Sequence, residues 1–238
     1  MILKQKMDRI VKLLHWYNNF MGYSNSYSMP PYAHYISMGN FCLPRSFLTE
    51  WGIKPRKASG ELSMPFDLMH IDPIALNYFL LFNFFGFFKN IRLDEKTSIF
   101  RRDGEFYSLF NHDADLGTDF SKLKERYQKR IANLKNILKS KDNLLFIQAC
   151  ENSYSDINTL YEILCFLRKN RPFRLILLDL TPDKPLDVSQ INKNITVIRE
   201  PYPTHEWLWY DHELRKTEKG IEFENRLRSK IVSVITIK

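Results

Sequence analysis

Leu144-Leu145-Phe146-Ile147, Leu175-Ile176-Leu177-Leu178 and Ile195-Thr196-Val197-Ile198 are short apolar runs, and the segments between them set how they pair. The first two are continuous, with no polar residue marking a solvated face, as in strands buried on both sides. Between these two, Ile157, Leu160, Leu164 and Leu167 recur at helical steps over residues 156–169. Strand, helix, strand with a connection of this length predicts a right-handed βαβ unit. Strands near 144–148, 175–179 and 195–199 are therefore expected side by side in one mainly parallel sheet. The expected fold class is α/β, a Rossmann-like sheet with helices on both faces, within a single domain over 1–238.

The sheet segment occupies 141–238 and continues into a helix over 217–230 and a terminal strand from Ile231 to Ile237. Before it, residues 122–141 form a basic helix whose buried stripe is Leu123, Tyr127, Ile131, Leu134 and Leu138. Its Lys and Arg residues then form the solvated face. A hairpin is expected over 98–110, with Ile99-Phe100 and Phe106-Tyr107 as arms and Asp103-Gly104 as the turn. A strongly apolar helix covers about 73–88. Residues 1–30 hold a helix and a polar loop. In that helix Leu3, Met7, Ile10, Leu14, Tyr17 and Met21 alternate in steps of four and three, and Gly22 closes it. A basic amphipathic helix of this kind docks on the protein body, makes a peripheral membrane contact, or pairs with another subunit in a dimer.

The chain has 238 residues, 44% hydrophobic and 26% charged, a globular composition. A membrane span needs roughly 18–20 apolar residues, and the longest candidate, Ile74 to Phe88, is broken by Asn77, Asn83 and Gly86. Lys4, Lys6, Asp8, Arg9 and Lys12 interrupt the N-terminal apolar pattern, unlike a signal peptide. Cys42, Cys150 and Cys165 are too few and too irregular for a disulfide framework, which fits a reducing, cytoplasmic setting. The net charge of +8 admits an anionic partner, but the cations are scattered and no nucleic-acid motif accompanies them, so no nucleic-acid partner is expected. Neither a Gly-rich phosphate loop nor a zinc-ligand spacing occurs, so no cofactor or metal is expected. His205, Asp211 and His212 flank Trp207 and Trp209 in what reads as an aromatic loop closing over the sheet. Cys150 and Cys165 read as inert core residues.

Cys42 is different. A short apolar stretch, Tyr35-Ile36-Ser37-Met38, leads through Gly39-Asn40-Phe41 to Cys42, and a helical pattern runs from Leu43 to Trp51, closed by Gly52. Pro44 suits a first helical turn. The sulfur is thus expected in the first turn of a helix at a strand-to-helix junction near unpaired N–H groups, partly accessible and facing a cleft, where a thiol pKa falls. A cysteine enzyme also needs a base and a group to orient it. His112 fits the base, and Asp67 or Asp113 the orienting carboxylate. Asp113 is adjacent to His112 in an extended segment, so its side chain tends to point away, which favours Asp67. Asp67 has an equally reasonable alternative role, accepting N–H bonds within the turn Ser63-Met64-Pro65-Phe66-Asp67.

Gly39 and Cys42 after a strand, Pro65-Phe66-Asp67, His112-Asp113, and Arg126 with Arg130 on a helix before an apolar strand occur in that order. Together they resemble a bacterial family of papain-like cysteine peptidases. The likeness covers roughly residues 35–180, and Leu68 stands where that family commonly has an aromatic residue. The resemblance implies thiol-mediated acyl transfer, as a peptidase, amidase or acyltransferase, on a peptide, acyl or glycan substrate. Two alternatives stay open. One is a glycan-modifying transferase that binds an activated donor at the strand-end acids Glu151, Asp179 and Glu200. The other is a non-catalytic binding module.

Overall fold

A computed structural model describes residues 2–23, 30–150, 155–182 and 186–236. The helices are α1 (Ile2–Phe20), α2 (Leu43–Glu50), α3 (Pro73–Leu81), α4 (Phe120–Lys139), α5 (Ser155–Arg168), α6 (His212–Lys216) and α7 (Glu218–Thr236). The strands are β1 (His34–Ser37), β2 (His70–Ile71), β3 (Arg92–Asp94), β4 (Ile99–Arg102), β5 (Ser108–Leu109), β6 (Leu144–Cys150), β7 (Phe173–Asp179) and β8 (Ile195–Arg199).

The three apolar runs become β6, β7 and β8, neighbours in one parallel sheet that β1 completes at the edge. Every residue of β6 and β7 is buried, which is why their sequence shows no alternation. Alternation survives in which side each residue faces. Leu144, Phe146, Leu175 and Leu177 join a core with residues of α3, α4 and α5, whereas Leu145, Ile147, Ile176 and Leu178 join a second core with α2 and α7. Helices therefore cover both faces. The strands follow the chain across the sheet, with no reversal of order of the kind at which doubly wound sheets bind nucleotides.

Arg168, at the end of α5, ties α4 to this sheet. Its guanidinium donates to the carbonyls of Ile137, Leu138 and Ser140 at 2.9–3.1 Å, and to those of Asp142 and Pro172 at 2.6 and 2.9 Å. The C-terminal carbonyls of α4 thus gain the partners that a helix end otherwise lacks.

Three expectations need correction. The terminal strand from Ile231 is helical, since Phe223, Leu227, Ile231 and Ile235 form one buried stripe with a step of four along α7. The β-branched character of Ile231, Val232, Val234 and Ile235 is a weak preference that packing overrides. The apolar helix stops at Leu81 instead of Phe88, because Asn83, Phe84 and Gly86 take positive φ and turn the chain. The hairpin exists, but Gly104–Phe106 forms a short 3-10 turn and the returning arm is Ser108–Leu109. With β2 and β3 it makes a second, antiparallel sheet in the order β2, β5, β4, β3. The polar loop placed after α1 lies partly at residues 24–29, outside the described residues.

The chain leaves β1 through two residues in the left-handed region, Gly39 at φ +63° and Asn40 at φ +64°. A methyl group on Gly39 would collide with the Ile71 side chain and press on Leu76 at 3.0 Å. Gly39→Ala thus combines an unfavourable backbone conformation with overpacking. It is expected to destabilise the fold by about 2–3 kcal/mol, read as a lower urea midpoint with unchanged slope. A loss under roughly 0.5 kcal/mol would mean that the loop relaxes freely.

Candidate active site

The backbone turn at Gly39 and Asn40 delivers Cys42 to the start of α2. Asn40 pins the loop to the sheet, donating from Nδ2 to the Ala149 carbonyl at 3.0 Å. Cys42 is the N-cap residue of α2, its carbonyl accepting from the Ser46 N–H at 3.0 Å, with Pro44 in the first turn. The strand–Gly-x-x-Cys–helix reading thus holds in the backbone.

His112 arrives from the other sheet, three residues beyond β5. Its Nε2 stands 3.1 Å from the Cys42 sulfur. These are the two residues assigned as nucleophile and base, and they meet across a sequence separation of 70. Cys42 itself is buried, 5% exposed, whereas His112 is exposed.

The expected depression of the thiol pKa is not found. Burial pushes the Cys42 thiol up to about 11, and a backbone hydrogen bond at the N-cap only partly offsets this. Burial also lowers the His112 pKa, with Asp113 raising it and Arg130 lowering it further. Both shifts favour uncharged forms, so at neutral pH the resting pair is thiol and imidazole. A helix N-terminus acts within its first turn and weakly, and here desolvation of the sulfur exceeds it. The partial accessibility and the cleft expected at Cys42 are not found either, because the residue is buried with His112 packed against its sulfur. A groove of about 710 Å³ runs between the 57–63 segment and α4, lined by residues including Lys57, Glu61, Asp115, Lys129 and Arg130, but not by Cys42 or His112.

Neither candidate carboxylate is hydrogen-bonded to the His112 ring among the described residues. Asp113 is buried against α4. It accepts from Arg126 at 2.9 Å and from the Tyr127 hydroxyl at 2.8 Å, and pairs with Arg130 at 3.3 Å. Arg126 also forms a double contact with Asp115, so the segment that follows His112 is clamped to α4 at two points. Asp67 takes its alternative role and accepts the Met64 N–H at 2.9 Å, closing its own turn. Its other oxygen is buried as well.

Burial raises the Asp67 pKa to about 6, against the pull of Arg45, the Met64 and Ser37 N–H groups and Arg130. A carboxyl whose folded pKa exceeds its unfolded value near 3.8 binds protons more tightly when folded. Its contribution is therefore most favourable at low pH and is lost as pH rises from about 4 to about 6. The stability of the wild type relative to Asp67→Asn should fall across that window. A difference that is flat with pH, measured by urea denaturation, would show that Asp67 ionises normally.

Several site neighbours escaped the sequence reading. Arg45, one turn beyond Cys42, is buried with an unpartnered Nη1. Lys54 and Glu61 form a buried ion pair at 2.7 Å, and Lys54 also donates to the Tyr35 carbonyl of β1. The one available signal was the spacing of Arg45 from Cys42, which places both on the first turns of one helix.

The remaining candidates are occupied or inert. Asp179 pairs with Arg199 at 2.9 Å and accepts the N–H groups of Thr181 and Leu186. Glu200 pairs with Arg226 and Lys230, and Glu151 lies outside the described residues. Asp211 caps α6. Cys150 is buried, and burial pushes buried Cys165 up to about 12. No cluster of three metal-ligating side chains occurs among the described residues, and no helix there is long and apolar enough to cross a membrane.

No family model, no curated protein and no solved structure matches this chain.

Proposed function

We propose that this protein is a cysteine-dependent acyl-transfer enzyme, with Cys42 as nucleophile and His112 as base. The observation that carries this reading is the 3.1 Å contact between Sγ and Nε2, a distance suited to direct proton transfer. The resemblance of Gly39, Cys42, Pro65-Phe66-Asp67 and His112-Asp113 to papain-like peptidases supports it. The parallel layer serves as a scaffold that presents Cys42 beyond the carboxyl end of edge strand β1.

Because the resting pair is neutral, the thiol proton moves to Nε2 as sulfur attacks the acyl carbon. N–H groups in the first turn of α2 are the donors available to the developing oxyanion. Collapse breaks the bond to the leaving amine or alcohol, which takes the proton back from His112. An acyl-thioester remains on Cys42, and water or an amine releases it. Asp113 acts as a positioning residue through the segment it clamps, and Asp67 holds the turn opposite. The donor-binding transferase is less well supported, since Asp179 and Glu200 are committed to Arg199, Arg226 and Lys230.

Iodoacetamide labelling of Cys42 against pH tests the pair without a known substrate. The wild type should show two limbs, one rising with deprotonation of His112 below the ordinary histidine pKa of about 6.5 and one near 11. His112→Ala should keep only the upper limb. Superimposable profiles would remove the functional link between the two residues.

A further inference from the structure

We propose that the outer face of α1 binds an anionic lipid surface. The helix is docked through one side only. Met7, Leu14 and Asn18 are buried there, and Asn18 and His15 both bond to the Glu162 carboxylate of α5 at 2.8–2.9 Å. A second stripe, Lys6, Arg9, Leu13, Trp16 and Phe20, advances in steps of three and four along the opposite side. All five side chains are exposed, with Leu13 at 67%, Trp16 at 64% and Phe20 at 74%. Trp16 and Phe20 stack on each other with ring centroids 5.6 Å apart, so the apolar half of the stripe is preassembled.

Charge selects the occupant. Lys6, Arg9 and the flanking, exposed Lys12 have no carboxylate partner among the described residues. A partner for this face must therefore supply both negative charge and an apolar layer at the depth of Leu13, Trp16 and Phe20. An anionic bilayer supplies both, with cations at the headgroups and aromatic rings at the acyl boundary. A second copy of the chain fits less well. It would bring the same unpaired cations, and one helical stripe falls well short of the roughly 20–30 residues a side of a standard interface.

Co-sedimentation of the full chain with vesicles tests this. The wild type should pellet with phosphatidylcholine vesicles containing phosphatidylglycerol and stay in solution with phosphatidylcholine alone. Combining Lys6→Gln, Arg9→Gln and Lys12→Gln should weaken binding by roughly a hundredfold, about fivefold per charge. Combining Leu13→Ser, Trp16→Ser and Phe20→Ser should abolish it. All six positions are exposed, so the far-ultraviolet circular dichroism should be unchanged. No binding to the anionic vesicles, or equal binding to both kinds, would overturn the proposal. So would a dimer in sedimentation velocity that Trp16→Ser converts to monomer, which would assign the face to a second copy.

Discussion

Cys42→Ala is expected to abolish the burst of nitrophenolate that the wild type should release from p-nitrophenyl acetate. In the wild type one acetyl group should move onto Cys42 for each nitrophenolate released, with a matching mass increase. His112→Ala should keep the sulfur but slow acylation by roughly 10²–10⁴, the usual range for a positioned general base. The effect of His112 should be large because burial holds the thiol near pKa 11. Unaided, such a thiol at pH 7 is ionised to only about one part in ten thousand. Neither variant should lose its fold, since His112 is exposed and Cys42→Ala costs on the order of 1 kcal/mol. A burst that persists undiminished in Cys42→Ala would end the proposal.

The parallel sheet could be read from sequence because β6 and β7 are buried on both faces. Burial of that kind leaves continuous apolar runs that no amphipathic helix produces, and the helical stripe Ile157, Leu160, Leu164, Leu167 fixed their connection. Element ends were less legible. In the run 73–88 the apolar residues suit a helix interior almost throughout, and the chain leaves the helix where Asn83, Phe84 and Gly86 take positive φ. The two-residue strands β2 and β5 carry no period at all, yet β5 leads into the segment that bears His112. For the site, backbone grammar sufficed to place Cys42 at a strand-to-helix junction. Its pKa was not legible, because that depends on desolvation by side chains brought from elsewhere in the chain. The same holds for Asp113, whose partners Arg126, Tyr127 and Arg130 look in sequence like parts of an ordinary amphipathic helix.

Asp113 carries the second large effect. Asp113→Ala leaves the Tyr127 hydroxyl and Arg130 without their acceptor and Arg126 with only Asp115. Removing one partner from a buried charged cluster typically costs about 3–5 kcal/mol, because the remaining charge stays desolvated. Asp113→Asn keeps an oxygen for Tyr127 and should cost less. The substitution should also reach His112. Asp113 raises the His112 pKa and Arg130 lowers it, so losing the carboxylate leaves only the opposing charge and weakens the base. Two readouts separate these roles. Urea denaturation reports the clamp, and the low-pH limb of Cys42 alkylation, measured where the variant is fully folded, reports the position and basicity of His112. Loss of both identifies Asp113 as a positioning residue acting through the His112 segment. A stability loss with the low-pH limb intact would confine Asp113 to holding α4, and His112 would then owe its place beside Cys42 to the β5 turn alone.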